Sequence, residues 1–249
     1  MKRTVIVTGG TRGIGAAISR AFYDSGAYVL ISARRDSGLA DALGERARFQ
    51  AGDVRIESHH HALVQSALKW TGRLDIYINC AGFSGWRPIG EVDEAFWNDM
   101  LDTNLKGTLW GCKAAAAQME SGGCIINVSS LAGKRGSANN SVYCASKFGV
   151  NGMTQALAKE LGPKGIRVNA VCPVYVSTPG LLEALTDVKS PSRGADIERF
   201  LGDFGKENCG LCRIPTAEEV ARVCVFLASP EASAITGQCI NVDCGAMPQ

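Results

Sequence analysis

Tyr143 and Lys147 stand four residues apart in the run Ser141-Val142-Tyr143-Cys144-Ala145-Ser146-Lys147. On a helix, positions i and i+4 share a face, so a phenol and an ammonium would point into one space. A nearby cation favours the phenolate and draws a tyrosine pKa down from about 10. A phenol tuned in this way can protonate a carbonyl oxygen or take a proton from an alcohol. The spacing alone recurs by chance in many chains. It gains weight here from a glycine-rich loop far upstream.

That loop is Thr8-Gly9-Gly10-Thr11-Arg12-Gly13-Ile14-Gly15, which follows a short apolar run and opens a helical pattern. Glycines in such a place allow a tight turn and a close backbone approach to a pyrophosphate, and the helix N-terminus offers N–H donors and a favourable dipole. Gly9, Thr11, Arg12, Gly13, Ile14 and Gly15 are therefore candidate dinucleotide contacts. Where a site for NAD wants an acid about twenty residues further on, this chain has Ala33 followed by Arg34 and Arg35. Guanidinium forks suit a ribose 2′-phosphate, which an acid would repel. Arg12, Arg34 and Arg35 thus predict NADP(H) over NAD(H).

Elements must carry these residues. β-branched runs at Thr4–Thr8, Tyr28–Ala33, Ala47–Ala51, Leu74–Asn79, Cys124–Ser129, Arg167–Val171 and Cys239–Val242 read as strands. Helical patterns lie between them at 13–25, 56–71, 93–118, 143–162 and 216–228. Alternation of this kind predicts βαβ units, and the near-continuous apolar character of the strands predicts a parallel sheet covered on both faces. The stretch 178–212, rich in Gly and Pro, reads as an excursion from the sheet that forms a substrate lid. The chain of 249 residues fits one large α/β domain spanning 1–249.

Composition narrows the classes. Hydrophobic residues make up 46% of the chain and the net charge is +2, with no basic stripe, so a nucleic-acid role is disfavoured. No apolar run approaches the ~18 residues of a membrane span, and the N-terminus enters a strand without the pattern of a signal peptide. These features predict a cytoplasmic protein that uses no membrane. The ten cysteines read as small buried hydrophobes rather than a disulfide framework. Cys209-Gly210-Leu211-Cys212 lacks the second pair or histidines that zinc would need, so no metal is expected. His59-His60-His61 reads as a solvated helix face.

With Gly9, Gly13, Gly15, Tyr143 and Lys147 in place, the chain resembles the short-chain dehydrogenase/reductase family over essentially its whole length. Asn79-Cys80-Ala81-Gly82 is similar to that family's Asn-Asn-Ala-Gly element. Asn104 matches the catalytic asparagine, and Ser130, ahead of Tyr143, matches the catalytic serine. Asp53-Val54 is similar to the adenine-contacting pair. Asn169 to Pro173, with Val176 and Thr178, matches the nicotinamide-side segment.

The resemblance implies a single-domain Rossmann fold, a doubly wound parallel sheet of about seven strands. It implies a tetrad in which Tyr143 is general acid or base. Lys147 tunes the phenol and binds nicotinamide-ribose hydroxyls, Ser130 holds the substrate oxygen, and Asn104 anchors a relay water. Ser129, the neighbouring serine, is expected to point away. Asn79, Ala81, Gly82, Asp53, Val54, Pro173, Val176 and Thr178 join Tyr143 and Lys147 as implied cofactor contacts.

Three positions depart from the family pattern: Cys80 for an asparagine, Val174 for a glycine, and Cys244 for a glycine. The implied activity is NADPH-dependent carbonyl reduction or the reverse alcohol oxidation, closest in pattern to 3-oxoacyl-thioester reductases. Hydroxysteroid or polyol dehydrogenation, or non-catalytic NADP sensing, are the alternatives. Phe83, Trp86, Val174, Tyr175, Leu181 and Leu182 predict a partly aromatic, apolar pocket. Arg87 is available for a carboxylate or phosphate, although a solvated loop position is the plainer reading. A homotetramer is expected, from the resemblance and from the apolar surplus of Trp97, Met100, Leu101, Leu105, Leu109 and Trp110 on the 93–118 pattern.

Overall fold

A computed structural model describes residues 3–248. Seven strands form one sheet: β1 (Thr4–Thr8), β2 (Tyr28–Ala33), β3 (Ala47–Ala51), β4 (Ile76–Asn79), β5 (Cys124–Val128), β6 (Arg167–Pro173) and β7 (Cys239–Val242). All adjacent pairs are parallel, in the order β3-β2-β1-β4-β5-β6-β7. The chain winds outward from β1 to β3, then returns to lay β4 on the other side of β1. In doubly wound sheets, ligands bind at the strand C-termini beside such a reversal. The glycine loop after β1 and the Asn79-Cys80-Ala81-Gly82 element after β4 both lie there.

Side chains alternate between the two sheet faces with period two. Val5, Val7, Ile76, Ile78 and Ile126 enter one core with Ile18 and Phe22 of α1 (Gly13–Asp24) and Val220, Cys224 and Leu227 of α9 (Ala217–Ala228). Ile6, Tyr77 and Ile125 enter the other. There they meet Leu63 and Ala67 of α3 (Glu57–Thr71), Cys112 and Ala115 of α5 (Gly107–Ala116), and Leu161 of α6 (Ser141–Leu161). Burial on both faces explains why the strands read as continuous apolar runs.

Several boundaries differ from the sequence reading. The short helix α2 (Leu39–Leu43) has no strong periodic signal and was not foreseen. The 93–118 pattern is not one helix. It comprises α4 (Glu94–Leu101), a π-helical segment (Asp102–Lys106) and α5. Asn104, buried at the centre of the π segment, ties its side chain to a neighbouring loop instead of facing solvent.

The histidine triplet is a solvated face only at His61, which is exposed. His60 is fully buried, hydrogen-bonded to Tyr77 Oη and Val54 O, each at 2.8 Å. His59 lies against Gly52 and bonds Ser32 Oγ at 2.9 Å. The reason is the direction of α3, which turns His59 onto the ends of β2 and β3 and His60 onto Tyr77 of β4 and the Val54 carbonyl.

The excursion at 178–212 carries two helices, α7 (Pro179–Leu185) and α8 (Ile197–Asn208). Thr178 caps α7 by accepting from Leu181 N, and Asp196 caps α8 by accepting from Arg199 N. Leu185 and Leu201 from these helices enclose Trp86 in a small third core. No helix among the described residues is long and apolar enough to cross a membrane.

Candidate active site

The glycine loop is built for close approach. Gly9 and Gly13 take positive φ angles of 67° and 54°. A methyl group on Gly9 would lie 2.7 Å from Ala81 Cα, and one on Gly15 would lie 2.1 Å from Gly9 O. Side chains at these positions would therefore push the β1 and β4 loops apart or block the start of α1. That helix begins at Gly13 with no side-chain cap and no acid in its first turn. Its free N–H groups and dipole are left to attract an anion. These residues fit the pyrophosphate of a dinucleotide.

At the adenine end, Arg34 and Arg35 are exposed just beyond β2. Asp53 is gripped by Arg55, which holds its carboxyl below the usual range, with Arg34 adding a smaller pull. Val54 is fixed from two sides: His60 Nε2 bonds its carbonyl, and Gly107 leaves just enough room for its side chain. Arg12 points elsewhere, 3.9 Å from Glu183 of α7 in an exposed pair. Asn79 sends its amide away from the cleft, donating to Asn127 Oδ1 at 2.9 Å in a buried network. What it can offer the cleft is its backbone.

At the other end, Thr178 packs over Gly13, where an added methyl would come within 3.2 Å of Thr178 Cβ. Pro173 and Val176 are buried beside it. Ala81 N and Cys80 N both approach Thr8 Oγ1, which pins the loop after β4 onto β1.

Asn104, Ser130, Tyr143 and Lys147 converge at the C-terminal ends of β4 and β5. The Ser130 hydroxyl lies close enough to the Tyr143 phenol to draw its pKa down, and it accepts from Ala132 N at 3.1 Å. Lys147 lies one turn along α6, with Nζ 5.7 Å from the Tyr143 ring centre and donating to Val128 O at 2.9 Å. Gly82 threads between Asn104 and Lys147; a methyl there would sit 2.9 Å from Asn104 Oδ1 and 3.7 Å from Lys147 Nζ. Asn104 clamps Phe83, accepting from its N–H at 3.0 Å and donating to its carbonyl at 2.9 Å. Ser129 Oγ is turned into α6, donating to Lys147 O at 3.4 Å.

The electrostatics differ from the sequence expectation in direction. Burial pushes the Tyr143 phenol up to about 12, and the nearby Ser130 hydroxyl only partly offsets it. Burial brings the Lys147 ammonium down to about 8. Lys147 is engaged by the Val128 carbonyl, and the desolvation of the pocket outweighs any pull of its charge on the phenol.

Comparison with known proteins identifies the family. Residues 9–247 match the family model described as enoyl-(acyl carrier protein) reductase, a short-chain dehydrogenase model. The chain belongs to the short-chain dehydrogenase/reductase family. It is 38% identical over 255 residues to a monensin polyketide synthase ketoacyl reductase of Streptomyces virginiae, covering 98% of this chain and 97% of that one. It is 35% identical over 260 residues to the 3-oxoacyl-[acyl-carrier-protein] reductase FabG of Chlamydia muridarum, with 98% and 97% coverage. Among solved structures, an actinorhodin polyketide ketoreductase variant with NADPH superposes with a TM-score of 0.90 at 32% identity, covering 98% and 97% of the two chains. The aldohexose dehydrogenase of Thermoplasma acidophilum superposes at 0.88 with 32% identity, covering 100% and 98%.

As a member of that family the chain is an oxidoreductase, and its departures from the family pattern can be placed. Val174 takes the glycine position without a positive φ, so the loop accepts a β-branched residue unstrained. Cys244 does adopt a positive φ of 53°, the region where glycine is the cheaper choice. Cys80 is desolvated, its thiol pushed up to about 12.

Tyr175 meets Phe200 and Phe204 edge to face. Arg87 stacks over the Phe96 ring at 4.7 Å. Leu181 and Leu182 pack against the Trp86 cluster. Cys209 is buried and Cys212 exposed; all ten cysteines are free. No group of metal-binding side chains occurs among the described residues. The sequence reading missed His60 and Phe200, because no local pattern marks a residue whose partners come through tertiary packing.

Proposed function

We propose that this oxidoreductase reduces the ketone of a 3-oxoacyl thioester with NADPH. The observation that carries the reading is the convergence of Asn104, Tyr143 and Lys147 beside Gly82 at the mouth of the glycine loop, with Lys147 one turn past Tyr143 on α6 and its Nζ 5.7 Å from the phenol ring centre. When bound, the nicotinamide supplies the hydride. Ser130 and Tyr143 hold the substrate oxygen between two hydroxyls and stabilise the charge that develops on it. Tyr143 gives its proton to that oxygen. A phenol resting at about 12 is protonated at neutral pH, as an acid for reduction must be. Lys147, brought down to about 8, is a ready proton source behind it. Asn104 holds Phe83 and, through it, the loop that borders the site.

Arg34 and Arg35, with Arg12 free to leave its exposed partner, support the 2′-phosphate and hence NADP(H) over NAD(H). The apolar wall of Tyr175, Leu181 and Leu182 favours an acyl chain over a sugar, whose hydroxyls would be left unpaired there. The excursion at 178–212 acts as the substrate lid. Ten free thiols suit a reducing compartment such as the cytoplasm. The working form is a homotetramer.

The test is NADPH oxidation followed at 340 nm with N-acetylcysteamine 3-oxoacyl thioesters, a cyclic ketone and an aldohexose, each repeated with NADH. Turnover fastest with NADPH and a 3-oxoacyl thioester is the expected result. Turnover confined to the sugar, or to NADH, would overturn it.

A further inference from the structure

We infer that the Trp86 indole N–H is a specificity contact for an oxygen atom that the substrate carries beyond its reacting carbonyl. This rests on the carbonyl-reductase reading above and deepens it. Trp86 is only 4% exposed, and its Nε1 has no hydrogen-bond partner. A buried N–H left unpaired is costly, and folded proteins rarely keep one without a use. The indole sits on the loop that runs out from the reactive centre. The loop that carries it leaves Gly82 beside Lys147, is clamped at Phe83 by Asn104, and is fixed again where Arg87 N donates to Asn139 O at 2.6 Å. Leu185 and Leu201 of the lid roof the indole, and Tyr175 packs against the same cluster. Tyr175 is also close enough for its charge to act on Tyr143. A chain reacting at Tyr143 and passing Tyr175 would arrive at Trp86.

A second orphan lies on the adjoining segment. Asn140, 6% exposed, leaves Oδ1 unpartnered, three residues ahead of Tyr143 and next to the Asn139 that anchors Arg87. One unpaired donor and one unpaired acceptor thus lie on the two segments that leave Gly82 and lead into Tyr143, the indole in otherwise apolar surroundings. A saturated alkyl chain would bury both unpaired. A chain with a further carbonyl would satisfy the indole. Sites built to hydrogen-bond a substrate discriminate against analogues that lack the partner.

The test compares the N-acetylcysteamine thioesters of 3-oxohexanoate and 3,5-dioxohexanoate. In turnover with NADPH, the dioxo substrate should have the higher kcat/KM by about tenfold, one hydrogen bond's worth. Trp86→Phe should erase that preference, so that the dioxo substrate loses its roughly tenfold advantage over the mono-oxo one. Binding is read separately on ¹⁵N-labelled protein holding NADP⁺, which cannot reduce either ligand. Trp86 is the only buried indole of the four tryptophans, so its N–H signal is the slowest to exchange with solvent even if Trp86→Phe fails to fold. That signal should move downfield with the dioxo thioester and stay with the mono-oxo one. A Trp86 signal unmoved at saturation by the dioxo ligand would overturn the inference even if both thioesters are reduced. Absent turnover with a shifted signal would instead overturn the reductase reading. If neither ligand binds, both fall.

Discussion

Lys147 gives its ammonium to the Val128 carbonyl, 2.9 Å away, and not to the Tyr143 phenol one turn earlier on the same helix. A cation only 6% exposed and bonded to one carbonyl is expensive to bury, which is why it loses its proton near pH 8. The unfolded chain would hold that proton up to about 10.5, so stability rises with pH between those values and is lowest where the buried lysine is charged. Lys147→Met should therefore abolish turnover yet raise the melting temperature of the cofactor-free protein at pH 7 by several degrees. Calorimetry checks it. A lower melting temperature would mean that Lys147 is a net stabiliser.

Tyr143→Phe removes the proton donor and keeps the ring. General acid groups contribute typically 10²–10⁴-fold, so kcat should fall on that scale while NADPH binding, read by nucleotide fluorescence, is retained. Ser130→Ala should be clearly impaired. Ser129→Ala, whose hydroxyl serves the α6 backbone, should lose little. The reverse order would assign the wrong serine.

Cofactor choice should follow the end of β2. Ala33→Asp with Arg34→Ala supplies an acid for a ribose hydroxyl and removes a guanidinium, so kcat/KM should shift toward NADH. An unmutated enzyme that favours NADH would sink the idea.

His60 makes the fold acid-sensitive. Burial holds its imidazole near 4, against 6.5 for the free side chain. The unfolded chain takes up a proton as pH falls through 6.5, while the folded chain resists until about 4. Stability is thus lost across that window, by about 3 kcal/mol at most. Urea unfolding from pH 7 to 4 should show this slope, and His60→Phe should flatten it. Equal slopes would show that other groups carry the acid response.

Much of this was legible in the sequence because it depends on local pattern. The strands announce themselves by continuous apolar runs, the glycine loop by its place between strand and helix, and Tyr143 and Lys147 by helical spacing. The departures arise where long-range contacts override local preference. The 93–118 pattern changes to π-type turns at Asp102–Lys106, where Asn104 turns its side chain to Phe83, a residue far away in the sequence. His60 looks polar in the sequence, yet Tyr77 Oη and the Val54 carbonyl are waiting inside. The phenol pKa could not be read from spacing, since desolvation depends on everything packed around it.

Assembly should be visible in solution. Trp97 on α4, Leu109 on α5 and Phe148 on α6 are 45%, 40% and 48% exposed, a large apolar outlay on one flank of the fold. Such surfaces mark interfaces, and closed symmetric assemblies are their common outcome. Light scattering at micromolar concentration should give a tetramer, and Leu109→Glu should lower the mass. A monomer in the unmutated protein would contradict this.

The excursion at 178–212 is joined to the glycine loop at two points, Thr178 over Gly13 and Glu183 beside Arg12. The Arg12–Glu183 pair is exposed and long, so it adds little stability of its own. If Arg12 turns to a cofactor phosphate, Glu183 loses its partner and α7 is held by Thr178 and by its contacts with Trp86. Lid order is then linked to what fills the cleft. Hydrogen exchange across 178–212 should slow when NADPH binds, and slow again with substrate. Leu181→Ala and Leu182→Ala, which thin the wall around Trp86, should change relative kcat/KM among acyl chains of different length more than they change NADPH binding. Core-like protection already present in the free protein, together with an unchanged chain-length profile in both variants, would rule out a specificity lid.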